Sequence, residues 1–206
     1  PENSRSVVAT LFPYRMRDTG KRNLSRYACV PDYHTAAGRV LQAAAASLSA
    51  AFPQARFESF IDNSPIPEVY AAATAGLGRM GDNGLLLHPQ FGSWVFIGCI
   101  VTDLDVGVEA VESSGCLHCG ACGRNCPSRC VGAADKPSRC LSAITQKKGE
   151  LTASEAALLA ESPLIWGCDA CQESCPLNRG TSVAPHPCFT ADAYAHEGWL
   201  DRETLD

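Results

Sequence analysis

The chain has 206 residues, 46 % of them hydrophobic, and a formal net charge of −5. That composition excludes disordered, fibrous and membrane-spanning classes and suffices for the core of one sizeable domain or two small ones. The longest apolar stretch, GSWVFIGCIV at 92–101, falls far short of the roughly 20 residues that cross a bilayer, and no signal peptide opens the chain, so a cytoplasmic location without membrane contact is expected.

The chain opens on PENSRSVVATLFPY without an initiator methionine and runs within a few residues into apolar sequence, so an upstream segment is expected to have been lost. SVVATLF (6–12) reads as a short β-branched and apolar strand. After the breaker Pro31, DYHTAAGRVLQAAAASLSAAF (32–52) is alanine-rich with near-helical apolar spacing, and Asp32 is its natural N-cap. FESFI (57–61) reads as a strand, IPEVYAAATAGL (66–77) as a helix with Pro67 in its first turn, and SWVFIGCIVTDL (93–104) as a long buried strand. These elements predict an α/β layer whose strands share one sheet, in an order the pattern does not reveal. From Cys116 onward short helices are punctuated by cysteine, glycine and proline. With few apolar residues per turn, inorganic cofactors are expected to replace part of the core there. The predicted class is α+β: an α/β module over 1–112, a two-cluster bacterial ferredoxin-like module over 113–182, and a mixed acidic tail over 183–206.

Twelve cysteines are too many for an ordinary cytoplasmic protein, and a secreted disulfide framework fits poorly with this length, so metal or cluster ligation is the default. The first run is C-x2-C-x2-C-x3-C-P: Cys116, Cys119, Cys122, Cys126, Pro127. Three thiolates at two-residue gaps converge on one cubane, whereas the cysteine before proline ligates the other cluster in two-cluster ferredoxins. A second run, WGCDACQESCPLN, supplies Cys168, Cys171, Cys175 and Pro176. Aligned backward from the prolines, Ile165 stands opposite Cys116 and cannot ligate, and the isolated Cys140 is the substitute. The two predicted sets are Cys116, Cys119, Cys122 with Cys175, and Cys126 with Cys140, Cys168, Cys171. Zinc explains neither the third cysteine at two-residue spacing nor the two C-P endings. Cys29, Cys99, Cys130 and Cys188 read as buried or incidental thiols, with Cys130 as a spare ligand. Two adjacent 4Fe-4S clusters make an electron wire, and the α/β module is its candidate terminus.

Twelve of the seventeen basic residues sit in two windows: Arg5, Arg15, Arg17, Lys21, Arg22 and Arg26 within 1–26, and Arg124, Arg129, Lys136, Arg139, Lys147 and Lys148 within 124–148. They read equally as two solvated faces or as a surface that meets RNA or another phosphate ligand.

RYACVPDYH, FIDNSPIPEVYAAATAGLGRMGDNGLLLHPQFGSWVFIGCIVTDL, the first cysteine run, RCLSAITQKKG and WGCDACQESCP together resemble the epoxyqueuosine reductase family, iron-sulfur and cobalamin enzymes of queuosine tRNA modification. The likeness is collinear over about residues 6–180. It implies a cobalamin in the first module, fed by the two clusters, that reduces the epoxide of epoxyqueuosine in tRNA to the alkene. It also implies that the aspartate after an apolar strand, here Asp62, supplies a proton. The residues alone make Asp62 an N-cap of the next helix. With the resemblance it becomes the acid, partly buried with a raised pKa, and Ser64 takes over the capping. Ser25, Asp62, Asn83, Leu86, Ile97 and Asp169 are the implied cobalamin contacts, with the glycine-rich loop AGLGRMGDNGLLL (75–87) approaching the flat macrocycle. His34, in the first helical turn, tempts as a cobalt ligand but reads as structural. Two departures touch the tRNA: Asp82 stands where the family has lysine, and the chain stops soon after the second C-P, without the helical region that many members use to hold tRNA. Lys147 and Lys148 match a position on the substrate side. Expected partners are tRNA and an electron donor such as a flavodoxin or ferredoxin. The alternatives are a ferredoxin-like carrier without cobalamin, or a cobalamin-dependent reductase of another small molecule, as in reductive dehalogenases.

Overall fold

A computed structural model describes residues 3–17, 22–62, 64–107, 115–134 and 139–189. Strand β1 (Ser6–Pro13) leads to helix α1 (Tyr33–Ala51), strand β2 (Phe57–Ile61) and helix α2 (Glu68–Thr74). A two-residue ribbon of β3 (Arg79–Met80) and β4 (Leu86–Leu87) precedes strand β5 (Val95–Thr102). Among the described residues, the cysteine-rich part carries the short helices α3 (Ala121–Arg124), α4 (Leu141–Thr145), α5 (Ala153–Ala160) and α6 (Ala170–Glu173). No described helix is long and apolar enough to cross a membrane.

The three long strands share one sheet, as predicted, in the order β1-β5-β2. The sheet is antiparallel throughout. β5 lies between the other two, running from Ser6↔Thr102 to Pro13↔Val95 on one side and from Phe57↔Thr102 to Ile61↔Gly98 on the other. β1, α1 and β2 thus form a crossover unit whose strands are split by a later strand running the opposite way. Gly98 to Thr102 of β5 are buried in succession, the mark of a central strand covered on both faces.

Small residues set how closely α1 approaches this sheet. Its buried positions Ala37, Leu41 and Ala45 recur every four residues, which places them on one stripe. Asp32 caps the helix as predicted, its carboxylate accepting from the His34 amide at 3.1 Å. The capping expected of Ser64 differs. Its Oγ accepts from the Ile66 amide at 3.0 Å, and α2 starts only at Glu68, with Pro67 at the N-cap and no side-chain cap. Proline has no N–H to donate and fixes its own φ, so the chain turns once before the helix begins.

The core gathers Phe12, Tyr14, Val30, Leu41, Trp94 and Ile100 with Phe189, a residue of the tail. The His186 amide donates to the Pro13 carbonyl at 2.7 Å, so the described end of the tail packs back onto β1. Residues 190–206 lie outside the described residues.

Gly98 faces α1, where a β-carbon would stand 2.5 Å from Leu41 Cδ1 and 3.1 Å from Phe12 Cε2. Both neighbours are buried and cannot swing away. Gly98→Ala is expected to destabilise the protein by about 1–3 kcal/mol through overpacking, read as a fall of several degrees in the thermal midpoint. An unchanged midpoint would show that α1 can move off the sheet at little cost.

Candidate iron-sulfur centres and acid site

Cys116, Cys119, Cys122 and Cys175 line one small cavity, together with Gly81, Asp82, Asn83 and Leu87 of the glycine-rich loop. Helix α3 packs against α6, so the two cysteine runs face each other, and Cys175 of the second run lines the cavity of the first three. Asp82, which stands where a lysine was expected, has an internal partner: its Oδ1 lies 2.8 Å from His118 Nδ1.

In the second set Cys126, Cys140 and Cys168 lie close enough to interact electrostatically. Burial pushes the Cys168 thiol up, and Cys140 and Cys126 add to the rise. Burial also raises Cys126, but hydrogen bonds from Ser128 and from the Cys130 and Val131 amides outweigh it and bring its pKa down to about 7. Such a nest of donors favours the thiolate, the ligating form. Cys171 sits on α6 between Cys168 and Cys175, near enough to Tyr14 to raise that phenol's pKa. Cys130 is fully buried, its sulfur 3.6 Å from that of Cys126. Cys29 and Cys99 are buried thiols, and burial pushes Cys99 up to about 11.

Asp62 is the first residue past the ladder of β2 and adopts a left-handed backbone with φ 51°, a conformation Asp tolerates better than most residues. Its Oδ2 accepts from the Tyr33 hydroxyl at 2.8 Å and lies 3.3 Å from His34 Nε2. His34 Nδ1 in turn lies 2.7 Å from Asp32 Oδ1. The side chain is 55 % exposed, so the predicted partial burial is not found: β2 ends at Ile61 and Asp62 lies just past it. The alternative reading of Asp62 as the cap of α2 also fails, because that helix has no side-chain cap.

A cavity of 160 Å³ opens beside this carboxylate, lined by Tyr33, Glu68, Leu85, Leu86, Ser93 and the β5 residues Val95, Phe96 and Ile97. Of the six expected contacts, Asp62, Leu86 and Ile97 share this cavity, and Asn83 lines the four-cysteine cavity next along the loop. Ser25 and Asp169 belong to a separate cluster. Ser25 is fully buried, and its N–H donates to the Trp166 carbonyl at 2.9 Å. Asp169 accepts from the Arg26 amide at 2.8 Å and pairs with Arg22. Burial raises the Asp169 carboxyl despite Arg26 and Arg22, which pull it down.

A polar chain with no sequence signal joins the two regions. Ser93, in the cavity, donates to Gln172 Oε1 at 2.8 Å, and Gln172 Nε2 reaches Asp169 Oδ1 at 3.4 Å. Asn178 donates to Ser93 Oγ and to the Gln172 carbonyl. Gly92, at φ 61°, makes room for Asn178, whose Oδ1 a β-carbon would strike.

The basic windows are largely committed within the chain. Arg5 pairs with Asp105, Arg22 with Asp169 and Glu173, and Lys147 with Glu155. Arg15, Arg124 and Arg139 donate to backbone carbonyls. Lys21 and Lys136 lie outside the described residues, whereas Arg17, Arg129 and Lys148 are exposed.

These arrangements fit an iron-sulfur protein of the two-cluster type, and comparisons with known proteins agree. Residues 115–178 match the family of 4Fe-4S double cluster binding domains, and residues 2–63 match the family described as epoxyqueuosine reductase QueG, DUF1730. An epoxyqueuosine reductase from Synechocystis sp. is 31 % identical over 211 residues, covering 98 % of this chain and 71 % of the relative. The chain belongs to the epoxyqueuosine reductase family. A solved epoxyqueuosine reductase from Bacillus subtilis, whose catalytic aspartate loop is swung out of the active site, superposes with a TM-score of 0.76 at 27 % identity, over 91 % of this chain and 52 % of that one. Another, bound to an epoxyqueuosine-modified tRNA stem loop, superposes with a TM-score of 0.75 at 26 % identity, over 89 % of this chain and 50 % of that one. The chain spans about half the length of several curated relatives.

The ligand sets are checked by iron and sulfide content after anaerobic reconstitution. Cys140→Ala is expected to lose about half the iron, whereas Cys130→Ala keeps all of it. The reverse pattern would move Cys130 into the second set.

Proposed function

We propose that the chain is the electron-transfer and acid core of an epoxyqueuosine reductase, reducing the epoxide of epoxyqueuosine in tRNA to the alkene of queuosine. One observation carries this reading. The glycine-rich loop walls the four-cysteine cavity with Asn83 and Leu87, while Leu86 of the same loop lines the cavity at Asp62. An electron source and an acid thus stand on two sides of a single loop.

In this reading the two sets of four cysteines hold two 4Fe-4S clusters, charged by a low-potential donor such as a flavodoxin or ferredoxin. The cavity at Asp62 suits the edge of a flat, mostly apolar macrocycle: Leu85, Leu86, Val95, Phe96 and Ile97 form an apolar wall, and Tyr33, Asp62 and Ser93 a polar margin. A cobalamin held there by Leu86 and Ile97, with Asn83 next along the loop, would supply a cobalt centre strong enough to reduce an epoxide. The buried hydroxyl of Ser25, and the carboxylate of Asp169, which is linked to this cavity through Gln172 and Ser93, would hold its outer groups. Asp62 gives a proton to the epoxide oxygen as its carbon–oxygen bond breaks, because an oxygen that leaves protonated is a far better leaving group. Tyr33 holds the Asp62 carboxylate in place from α1. The tRNA phosphates are met by exposed basic residues such as Arg17, Arg129 and Lys148, giving binding that weakens with added salt.

Asp62→Asn keeps the hydrogen-bond acceptor for Tyr33 but has no proton to give. It is expected to retain both clusters and stoichiometric cobalamin after desalting, seen in the visible spectrum, while turnover of an epoxyqueuosine-bearing stem loop falls at least 100-fold. Near-normal turnover in this variant would remove Asp62 from the chemistry, and a protein that keeps its clusters but no corrin would leave a ferredoxin-like carrier as the better account.

A further inference from the structure

Opening an epoxide to an alkene and water consumes two electrons and two protons, and one carboxylic acid holds a single proton. A second source must stand within reach of Asp62. This inference rests on the reading of Asp62 as the acid.

Four titratable groups surround Asp62: Tyr33 and His34 in the first turn of α1, Asp32 beyond them, and Glu68 at the start of α2. Burial first, and then hydrogen bonding to Asp62, push the Tyr33 phenol up. It therefore stays protonated and acts as a fixed donor. Glu68 lines the same cavity, and burial followed by the Asp62 charge raises its carboxyl. His34 differs from both in its geometry. Its Nε2 is 3.3 Å from Asp62 Oδ2, and its Nδ1 is 2.7 Å from Asp32 Oδ1. The ring lies stacked on Tyr33 with centroids 4.1 Å apart and remains 46 % exposed. An imidazole bracketed by two carboxylates, one of them the acid, and open to water has the parts of a refillable proton store.

We propose that His34 recharges Asp62 within each turnover, as a positioning residue that acts through the acid. Asp62 protonates the epoxide oxygen as the first carbon–oxygen bond breaks, leaving a hydroxyl on the neighbouring carbon. The Nε2 proton of the imidazolium then passes to the Asp62 carboxylate, and Asp62 gives it to the hydroxyl as the second carbon–oxygen bond breaks. The hydroxyl departs as water and the carbon–carbon double bond forms. Two equivalents of a one-electron reductant would supply the two electrons by way of the iron-sulfur centres, and solvent reprotonates the exposed ring. Asp32 keeps the proton on Nδ1, so that Nε2 is the nitrogen that exchanges with Asp62.

The charged neighbours also set the direction of the pH effect. Burial lowers the His34 pKa, but hydrogen bonds and charge from Asp32 and Asp62 outweigh it, and the net shift is upward. The imidazolium therefore persists to higher pH than in an unfolded chain, and the relay fails as pH rises through that raised value.

Two measurements test the relay. In the chain without cofactors, an NMR titration of the His34 ring is expected to give a pKa above the ordinary value of about 6.5, and Asp32→Asn and Asp62→Asn should each lower it. A ring that titrates at or below the ordinary value, or does not respond to Asp62→Asn, overturns the proposal. In the reconstituted protein, driven by dithionite on an epoxyqueuosine stem loop, His34→Gln is expected to lower kcat about 10- to 100-fold. KM should hold, the alkaline fall of the pH profile should disappear, and added imidazole should restore part of the rate. Turnover in Asp62→Asn would refute the reading of Asp62 itself. An inactive Asp62→Asn beside a His34→Gln with normal rate and pH profile would refute only the relay, as would a Glu68→Gln that shows the losses expected of His34→Gln.

Discussion

Two buried amides hold the cysteine-rich half of this protein to its sheet. Gln172 accepts from both the Ser93 hydroxyl and Tyr14, and Asn178 donates to Ser93 and to the Gln172 carbonyl while accepting from the Ser93 amide. All four residues are buried. A buried amide that loses one partner bears the cost of desolvation, about 1–3 kcal/mol, so such a network holds as a unit or fails as one. It ties Ser93, two residues before β5, to the helix between Cys168 and Cys175 and to the residue two past Pro176. The spacing between the cysteine-bearing helix and the cavity at Asp62 therefore depends on polar groups of which only Ser93 lines that cavity.

A second tie reinforces the first. Ile165 and Ser25 donate to the Asn23 and Trp166 carbonyls at 2.7 and 2.9 Å, forming a short parallel bridge. Beside it, Arg22 and Arg26 converge on Asp169 and Glu173. The position that breaks the cysteine alignment, Ile165, is thus a structural joint: its backbone ties the cysteine segment to residue 23. With no thiol at that position, the fourth ligand expected for the second set is Cys140, immediately before α4.

The cysteine runs were legible in the sequence because a cubane imposes its spacing locally, and neither fold nor register has to be known to see it. The long strands and α1 were legible for a similar reason, since each carries its own period. Strand order was not, because an antiparallel partner inserted between β1 and β2 leaves no mark on either. Gln172, Asn178 and Ser93 were missed because polar side chains read as surface by default, and their burial follows from partners more than 70 residues away. Phe189 was missed because PHPCF has no period. Asp62 was found through the family likeness, yet its exposure and its hold on Tyr33 could not be read from FIDNSP. Clustering of basic residues overstated a phosphate surface, since sequence does not show which arginines and lysines are already paired.

The position of Asp62 follows from where the sheet stops. β2 pairs with β5 as far as Ile61↔Gly98, so Asp62 lies past the end of the ladder, and its left-handed backbone turns the chain away from the strand direction. Its carboxylate is held instead by Tyr33, whose ring stacks on Phe96 of β5 at 4.1 Å between centroids. The Asp62 carboxylate is thus positioned through α1 and the central strand rather than through its own strand, and the same first turn of α1 presents His34. A residue outside the ladder can shift without breaking sheet hydrogen bonds, whereas the group that holds it is anchored in the core. That division fits the role proposed for Asp62: the carboxylate can yield, and its partners on α1 define where it returns.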